Sequence, residues 1–429
     1  MIHSEQTISV IIPTHNRRSS LNRLLDCLGL QTYPAHLIEV IAVANNCIDT
    51  TVEFLQSYQA PYTLRYLDSK GNGPAIARNE GAALASGDLF LFLDDDIEPS
   101  VGLVEAHVRQ HNILNRVVIG YLPLTLPKNA KFYQIELWSW WEGKYFNMSN
   151  PAYRYCYEDL LSGNFSLPAT LFKKINGFDS TYRCREDYEL GIRLINAGAN
   201  FIFAKDAWGY HRDEVTNLSR SLGRKRLEGR SDIHSSRRYA GLINRIIQNY
   251  LPPYKSLSRS AYLFFTVNTP KLSNSLAISM QHSLVLFEWL RMRHTWQRVN
   301  YRLHEYWYFR GIIDEFKTLK KLNHFLDTSI PPIDQENDLF LDLKDGIAAV
   351  ERQLDEKRPT SVLLYYGEQL IGRIPYQFGT EPLRGIHLRS ILATKLSEPL
   401  SLALAIEDTM HKNTNSNKNP SYSAEESVV

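Results

Sequence analysis

The chain has 429 residues, too many for one compact core, and that length alone argues for roughly two or three domains. Its 44% hydrophobic and 22% charged residues are ordinary for a globular protein, which sets aside the disordered and fibrous classes. The formal net charge of +2 conceals an uneven distribution along the chain.

Four widely spaced cysteines form no CxxC pair, so neither a zinc site nor a disulfide framework is supported, and a cytoplasmic setting is expected. The N-terminus runs almost directly into a strand, without the order of a signal peptide. No stretch reaches the roughly 18 uninterrupted apolar residues of a membrane span, so any membrane contact would be peripheral.

Ile8-Ser9-Val10-Ile11-Ile12-Pro13 predicts a buried first strand, and Thr14-His15-Asn16-Arg17-Arg18 a polar loop. Leu21, Leu24, Leu25 and Leu28 then share one face of a helix over residues 19–30. A second strand, 37–43, leads to the polar Asn45-Asn46 and a helix start at Asp49-Thr50-Thr51. The pattern repeats with a strand at 62–67 and a helix at 74–85, which predicts a doubly wound α/β sheet with right-handed crossovers. The glycines and proline of Gly71-Asn72-Gly73-Pro74 open that helix, whose free N–H groups favour an anion.

The apolar run Phe90-Leu91-Phe92-Leu93 ends abruptly in Asp94-Asp95-Asp96. In an open α/β sheet the carboxyl ends of the strands are where ligands bind, and clustered carboxylates there suit Mg²⁺ or Mn²⁺ better than a soft metal. An acidic turn after a core strand is the simpler alternative. Beyond a helix at 101–112 and a strand at 117–121, residues 132–141 are unusually aromatic, fit either for stacking on a sugar or for a core. Leu161 to Leu167 predicts a glycine-containing turn and a strand. Gly177-Phe178-Asp179 precedes a helix that starts at Glu186-Asp187, where two acids either cap the dipole or place a general base beside a cleft. A strand at 200–204 is followed by His211, a candidate metal ligand or a loop histidine.

Taken in order, these motifs resemble the family 2 glycosyltransferases, which have the GT-A fold. The resemblance spans roughly residues 7 to 212 and rests on Ile8 to Arg17, Gly73 to Gly81, the Asp94-Asp95-Asp96 triplet in the place of a DxD motif, Gly177-Phe178-Asp179, and Glu186-Asp187 in the place of the catalytic ED pair. It implies that Pro13, Thr14 and Asn16 line a nucleotide pocket, that Arg78 faces the nucleotide or its diphosphate, and that Asp94 and Asp95 lie on the nucleotide-sugar side. Asp96, with His211, would hold Mg²⁺ or Mn²⁺ against the diphosphate. Asp187, paired with Glu186, would take the acceptor hydroxyl proton in an inverting transfer. One departure stands out: where many relatives read VDDGSxD, this chain reads Val43-Ala44-Asn45-Asn46-Cys47-Ile48-Asp49. Ala44 cannot bond a base, whereas Asn45 offers both a donor and an acceptor, so a uridine diphosphate sugar is expected ahead of a guanosine one.

Between residues 212 and 326, 20 Lys and Arg face 8 Asp and Glu, a net charge of +12. Helical patterns at 239–250 and 283–296 interleave aromatics with this charge, which suits peripheral contact with an anionic membrane or a lipid-phosphate acceptor, or simply a subdomain covering the sheet; the acceptor expected overall is a glycan or lipid-linked one. No nucleic-acid motif accompanies the charge. Ile330-Pro331-Pro332 reads as a linker, followed by an acidic helix at 339–354, two strands at 361–366 and 368–374, and a helix at 383–396.

The expected domains are therefore a GT-A catalytic domain at 1–212, a basic helical region at 213–329, a small α+β domain at 330–411 and a disordered tail at 412–429. The expected activity is metal-dependent transfer of a sugar from a nucleotide sugar to a hydroxyl, in building a cell-surface polysaccharide or glycolipid at the cytoplasmic side. Two rivals remain. A degenerate glycosyltransferase-like glycan-binding scaffold is favoured by Ala44 and opposed by the intact carboxylates. A sugar-phosphate nucleotidyltransferase would want a glycine-rich basic loop that residues 14–18 lack.

Overall fold

The computed structural model describes residues 6–212, 217–243, 246, 264–328 and 338–416. The predicted linker at 330–332 and most of the predicted second half of the helix at 239–250 lie outside the described residues. The chain divides into two compact units, 1–149 with 155–333 and 150–154 with 334–429.

The first unit is built on an eight-stranded sheet. Strands β1 (Ile8–Thr14), β2 (Ile38–Asn45), β3 (Thr63–Ser69) and β4 (Leu89–Leu93) form its parallel half in the order β3-β2-β1-β4. In register, Ile8 faces both Ile38 and Leu89, so β1, β2 and β4 start side by side and run in the same direction. Helices α1 (Arg18–Leu28), α2 (Thr51–Ser57) and α3 (Pro74–Leu84) make the crossovers. The leucine stripe predicted on α1 is buried against the alternate side chains of β1 and β2. Each such leucine contributes about 1.5–3 kcal/mol, which fixes the helix on the sheet.

Beyond β4 the chain adds the short β5 (Ile97–Pro99), α4 (Leu103–Gln110), β6 (Arg116–Tyr121), the aromatic α5 (Phe132–Met148), β7 (Asn164–Pro168), α6 (Ala169–Lys174), α7 (Glu186–Asn196) and β8 (Asn200–His211). Strand β7 lies antiparallel between β4 and β6, and β8 pairs parallel with β6 and antiparallel with β5. This is the doubly wound, mostly parallel α/β arrangement expected from the sequence. The strand expected to stop at residue 204 continues to His211 because β5 provides a second partner, pairing Ile97 with His211. His211 is thus a strand-end residue and not a loop histidine.

A helical layer completes the unit: α8 (Leu218–Arg238), α9 (Pro270–Trp289), α10 (Arg293–Phe316) and α11 (Leu319–Thr328). The single helix expected over 283–296 is two helices. Arg291 adopts φ 53°, and the N–H groups of Arg291 and Met292 return to the carbonyls of Glu288 and Phe287, a left-handed C-terminal cap that ends α9.

The second unit holds β9 (Leu339–Asp342), α12 (Ile347–Lys357), β10 (Val362–Tyr366), β11 (Gln369–Ile374), α13 (Gly385–Lys395) and α14 (Ser397–Ser416). The acidic helix expected from residue 339 starts only at Ile347, because Leu339 to Asp342 pair in parallel with β10 and bury Leu341 in the small core. Helix α14 also runs into the segment read as a disordered tail, and residues 417–429 lie outside the description.

Candidate active site

The carboxyl ends of β1, β2 and β4 converge, and the residues singled out in the sequence gather there. Pro13 and Thr14 close β1, and the Thr14 hydroxyl donates to Asp95 Oδ2 at 2.7 Å. Asn16, at φ 53°, turns the chain. Its Oδ1 accepts from the Ile48 N–H at 2.7 Å and so ties the loop after β1 to the loop after β2. Arg17 follows and grips the acidic triplet, with Nη1 2.9 Å from Asp95 Oδ1 and 2.6 Å from Asp96 Oδ2.

Ala44 is fully buried in the sheet core, so its side chain is part of the packing. Asn45, only 8% exposed, donates from Nδ2 to the Gly73 carbonyl at 3.0 Å, and its Oδ1 is buried with no hydrogen-bond partner among the described residues. Asn46 bonds the Gly71 carbonyl. The two asparagines anchor the loop that opens α3, where Gly73 takes φ 113°, a conformation few side chains tolerate, and Pro74 starts the helix.

Arg78 meets acidic neighbours, one of the two outcomes that its place on the first turns of α3 allows. It is 3% exposed and lies between two acids, with Nη1 2.8 Å from Glu186 Oε1 and Nη2 2.8 Å from Asp94 Oδ1, while its guanidinium sits over Phe178. It therefore braces β4 against α7 instead of presenting an open charge. Gly163 lets Asp94 lie close, since a Cβ there would come within 3.0 Å of Asp94 Oδ2.

Asp95 is buried, and burial pushes its carboxyl up to about 6 despite Arg17 and Thr14. Burial also opposes ionisation of Asp96, but His211 and Arg17 outweigh it and hold that group below the usual carboxylate range. Asp96 Oδ1 is buried without a hydrogen-bond partner, and its neighbour is His211 Nε2 at 3.4 Å. A buried oxygen of this kind beside an imidazole fits a hard divalent cation. No group of three or more ligating side chains comes together among the described residues, so the other ligands would be phosphate oxygens and water, the usual pattern for Mg²⁺.

On the other side of Asp94, α7 delivers Glu186 and Asp187 in its first turn. Asp187 Oδ1 accepts from the Tyr188 N–H at 2.9 Å, and Ser162 approaches Oδ2 with its hydroxyl at 3.3 Å. Burial and then the Glu186 carboxylate push Asp187 up to about 6, against the pull of Arg224 and Arg78. The helix starts from Arg185 at φ 62°, an uncommon conformation for arginine, and α8 holds it there. Arg185 bonds Glu228 at 2.9 Å and also Asp232. Burial opposes the Glu228 charge, but Arg185 and Lys225 bring its carboxyl down to about 2.

The aromatic helix α5 is neither core nor remote. Trp140 is 51% exposed, and the Trp141 ring lies 6.5 Å from that of His211, edge-on. Arg17, Ser162 and the Arg185–Glu228–Asp232 clamp were not singled out in the sequence. A basic residue just after β1 was the available signal for Arg17; nothing local announces a clamp whose partners lie 43 and 47 residues apart.

Residues 9–167 match the model of glycosyl transferase family 2, and residues 144–214 match the N-terminal domain of galactosyltransferase. Validoxylamine A glucosyltransferase of Streptomyces hygroscopicus subsp. jinggangensis is 28% identical over 247 residues, covering 49% of this chain and 58% of that protein. Pre-mycofactocin glycosyltransferase of Mycobacterium tuberculosis is 28% identical over 249 residues, covering 53% and 47%. The chain thus spans about half the length of these relatives. A solved mannosyltransferase from Pyrobaculum calidifontis, in complex with GDP-Man and Mn²⁺, aligns over 73% of this chain and 89% of its own at 14% identity, with a TM-score of 0.47. With the motifs assembled on one sheet edge, residues 9–167 form a domain that matches family 2 of the glycosyltransferases.

Proposed function

We propose that this protein transfers a sugar from a nucleoside diphosphate donor to a hydroxyl of a glycan or lipid-linked acceptor, with inversion at the anomeric carbon. The observation that carries this reading is the presence of two distinct carboxylate centres: Asp96 with His211, and Glu186–Asp187 at the start of α7, the latter tied to Asp94 through the Arg78 bridge between Asp94 and Glu186. The first suits a diphosphate and its cation, the second an acceptor.

In this reading Pro13, Thr14, Asn16 and Asn45 shape the nucleotide pocket. The unpartnered Asn45 Oδ1 accepts a base N–H, such as N3–H of uracil, which favours a UDP sugar. Asp94 and Asp95 flank the donor sugar and ribose, with Arg17 holding Asp95 and Asp96 in place before the donor arrives. Asp96 and His211 would hold Mg²⁺ or Mn²⁺, which neutralises charge developing on the departing diphosphate. Asp187 accepts the proton of the acceptor hydroxyl as that oxygen bonds the anomeric carbon; the bond to the diphosphate breaks and the leaving group keeps the electron pair. Glu186 pairs with Arg78, and its proximity raises the proton affinity of Asp187. Exposed Trp140 and half-buried Trp141 offer the acceptor sugar flat apolar faces. A cytoplasmic setting suits both a nucleotide-sugar donor and the four free cysteines.

Calorimetry with UDP and GDP, each with and without Mn²⁺, tests the donor half. Metal-dependent binding of UDP, weakened at least about tenfold in Asp96→Ala, is the expected result. Equal binding with and without metal, unchanged in the variant, would overturn the assignment. Asn45→Ala should weaken UDP binding by about tenfold, the value of one hydrogen bond, while leaving its metal dependence intact. Unchanged affinity would remove Asn45 from the base pocket.

A further inference from the structure

We propose that α9 and the turn that follows it form a docking face for an anionic membrane surface. Helix α9 buries Ser273, Ala277 and Leu284 against its neighbours in the helical layer. On its outer side Leu272, Leu276, Met280, Leu286, Trp289 and Leu290 are between 42% and 78% exposed. Their spacing in steps of four, 272-276-280 and 286-290, lines them along one side, where a helix facing only water carries charge.

Charge decides what covers this face. Between Phe264 and Met292 the only carboxylate is Glu288, and it is turned inward, its Oε1 accepting the Phe132 N–H at 2.7 Å. Exposed cations stand at both ends: Lys271 at the start of the helix, Arg291 and Arg293 just beyond it. An apolar strip rimmed by cations and free of exposed negative charge complements acyl chains beneath anionic headgroups. A second copy of the chain would set the same cations against each other. Trp289, at 78% exposure the most open aromatic of the strip, sits beside that basic rim, where an indole suits the boundary between headgroup and chain. Among the described residues no helix is long and apolar enough to cross a membrane, so the contact lies in the interface plane.

The same end of the helix leads to the candidate active site. Besides the Phe132–Glu288 bond, Phe132 packs edge-on against Trp296 at 5.8 Å and Glu136 meets Arg293 at 3.4 Å, so α5 is fixed to the docking face at its start and carries Trp141 to His211 further along. The proposal does not depend on the transfer reaction.

The test is co-sedimentation of the full chain with vesicles of phosphatidylcholine alone and of phosphatidylcholine mixed with phosphatidylglycerol, at low and high salt. The expected result is binding to the mixed vesicles, loss at high salt and a blue shift of tryptophan emission. The triple variant Leu272→Glu, Leu276→Glu, Leu286→Glu should bind at least about tenfold more weakly. Lys271→Glu with Arg291→Glu should lose about fivefold for each charge removed. All these positions are exposed, and circular dichroism verifies that the variants fold. A wild-type protein that stays in the supernatant with both vesicles, or a triple variant that sediments like the wild type, would overturn the proposal. A wild-type dimer that becomes monomeric in the triple variant, with no vesicle binding by either, would assign the face to a second copy instead.

Discussion

Replacing Asp187 by asparagine should cut sugar transfer by about 10²- to 10⁴-fold while leaving nucleotide binding as it is. The substitution keeps the shape, and the Tyr188 N–H can still be accepted by the amide oxygen. What disappears is the capacity to take a proton. The pH dependence carries the same signature. As a base Asp187 would work only when ionised, and burial with the nearby Glu186 charge has moved its pKa up to about 6. Activity should therefore rise as pH increases through about 6, level off above it, and fall away below. The stability linkage has the opposite sense. A carboxyl raised above its unfolded value binds its proton more tightly when folded, so the stability it contributes is present at low pH and is lost as pH rises through about 6. Thermal melts of wild type and Asp187→Asn should converge, or cross in favour of the variant, between about pH 4 and pH 7. Full turnover in Asp187→Asn, or a flat pH profile across that range, would exclude Asp187 as the base.

Arg78→Ala should be the most destabilising single change in the site. The guanidinium is buried, and its removal strands Glu186, itself only 6% exposed, next to Asp94 and Asp187. Breaking a buried ion pair from one side costs about 3–5 kcal/mol; here the more open Asp94 lowers the share of the second contact. A melting temperature lower by on the order of 10 °C is expected for the transition of the first unit. Arg78→Lys should recover part of this, because a single ammonium can meet one carboxylate well but not both in the forked geometry. If Arg78→Ala melted like the wild type while losing affinity for UDP, the residue would be a phosphate ligand and not a brace.

The fold was legible where local pattern and final environment agree. The β-branched first strand, the leucine stripe of α1 and the apolar run of β4 all became fully buried, because a strand covered on both faces and a helix covered on one leave periods that the sequence displays directly. The small domain misled for the same reason. Leu339 and Leu341 fit either a strand or a helix start, and the choice was made by the partner strand β10, more than twenty residues ahead. Likewise β8 could not be seen past Ala204, since its continuation to His211 depends on pairing with β5, more than a hundred residues earlier.

The sequence by itself determined the chemical kinds available at the sheet edge: three carboxylates after β4, two at the start of α7, a histidine at 211 and a pair of asparagines where a carboxylate pair is common in the family. These are covalent facts, independent of packing. Only the tertiary structure decided their partners. It set Arg78 between Asp94 and Glu186, brought Arg17 onto Asp95 and Asp96, left Asn45 Oδ1 buried without a partner, and held a left-handed Arg185 in place with two acids from a helix that the sequence showed only as basic. Charge interactions act over a few ångströms, and chain positions dozens of residues apart acquire such distances only when the sheet and its helical layer close.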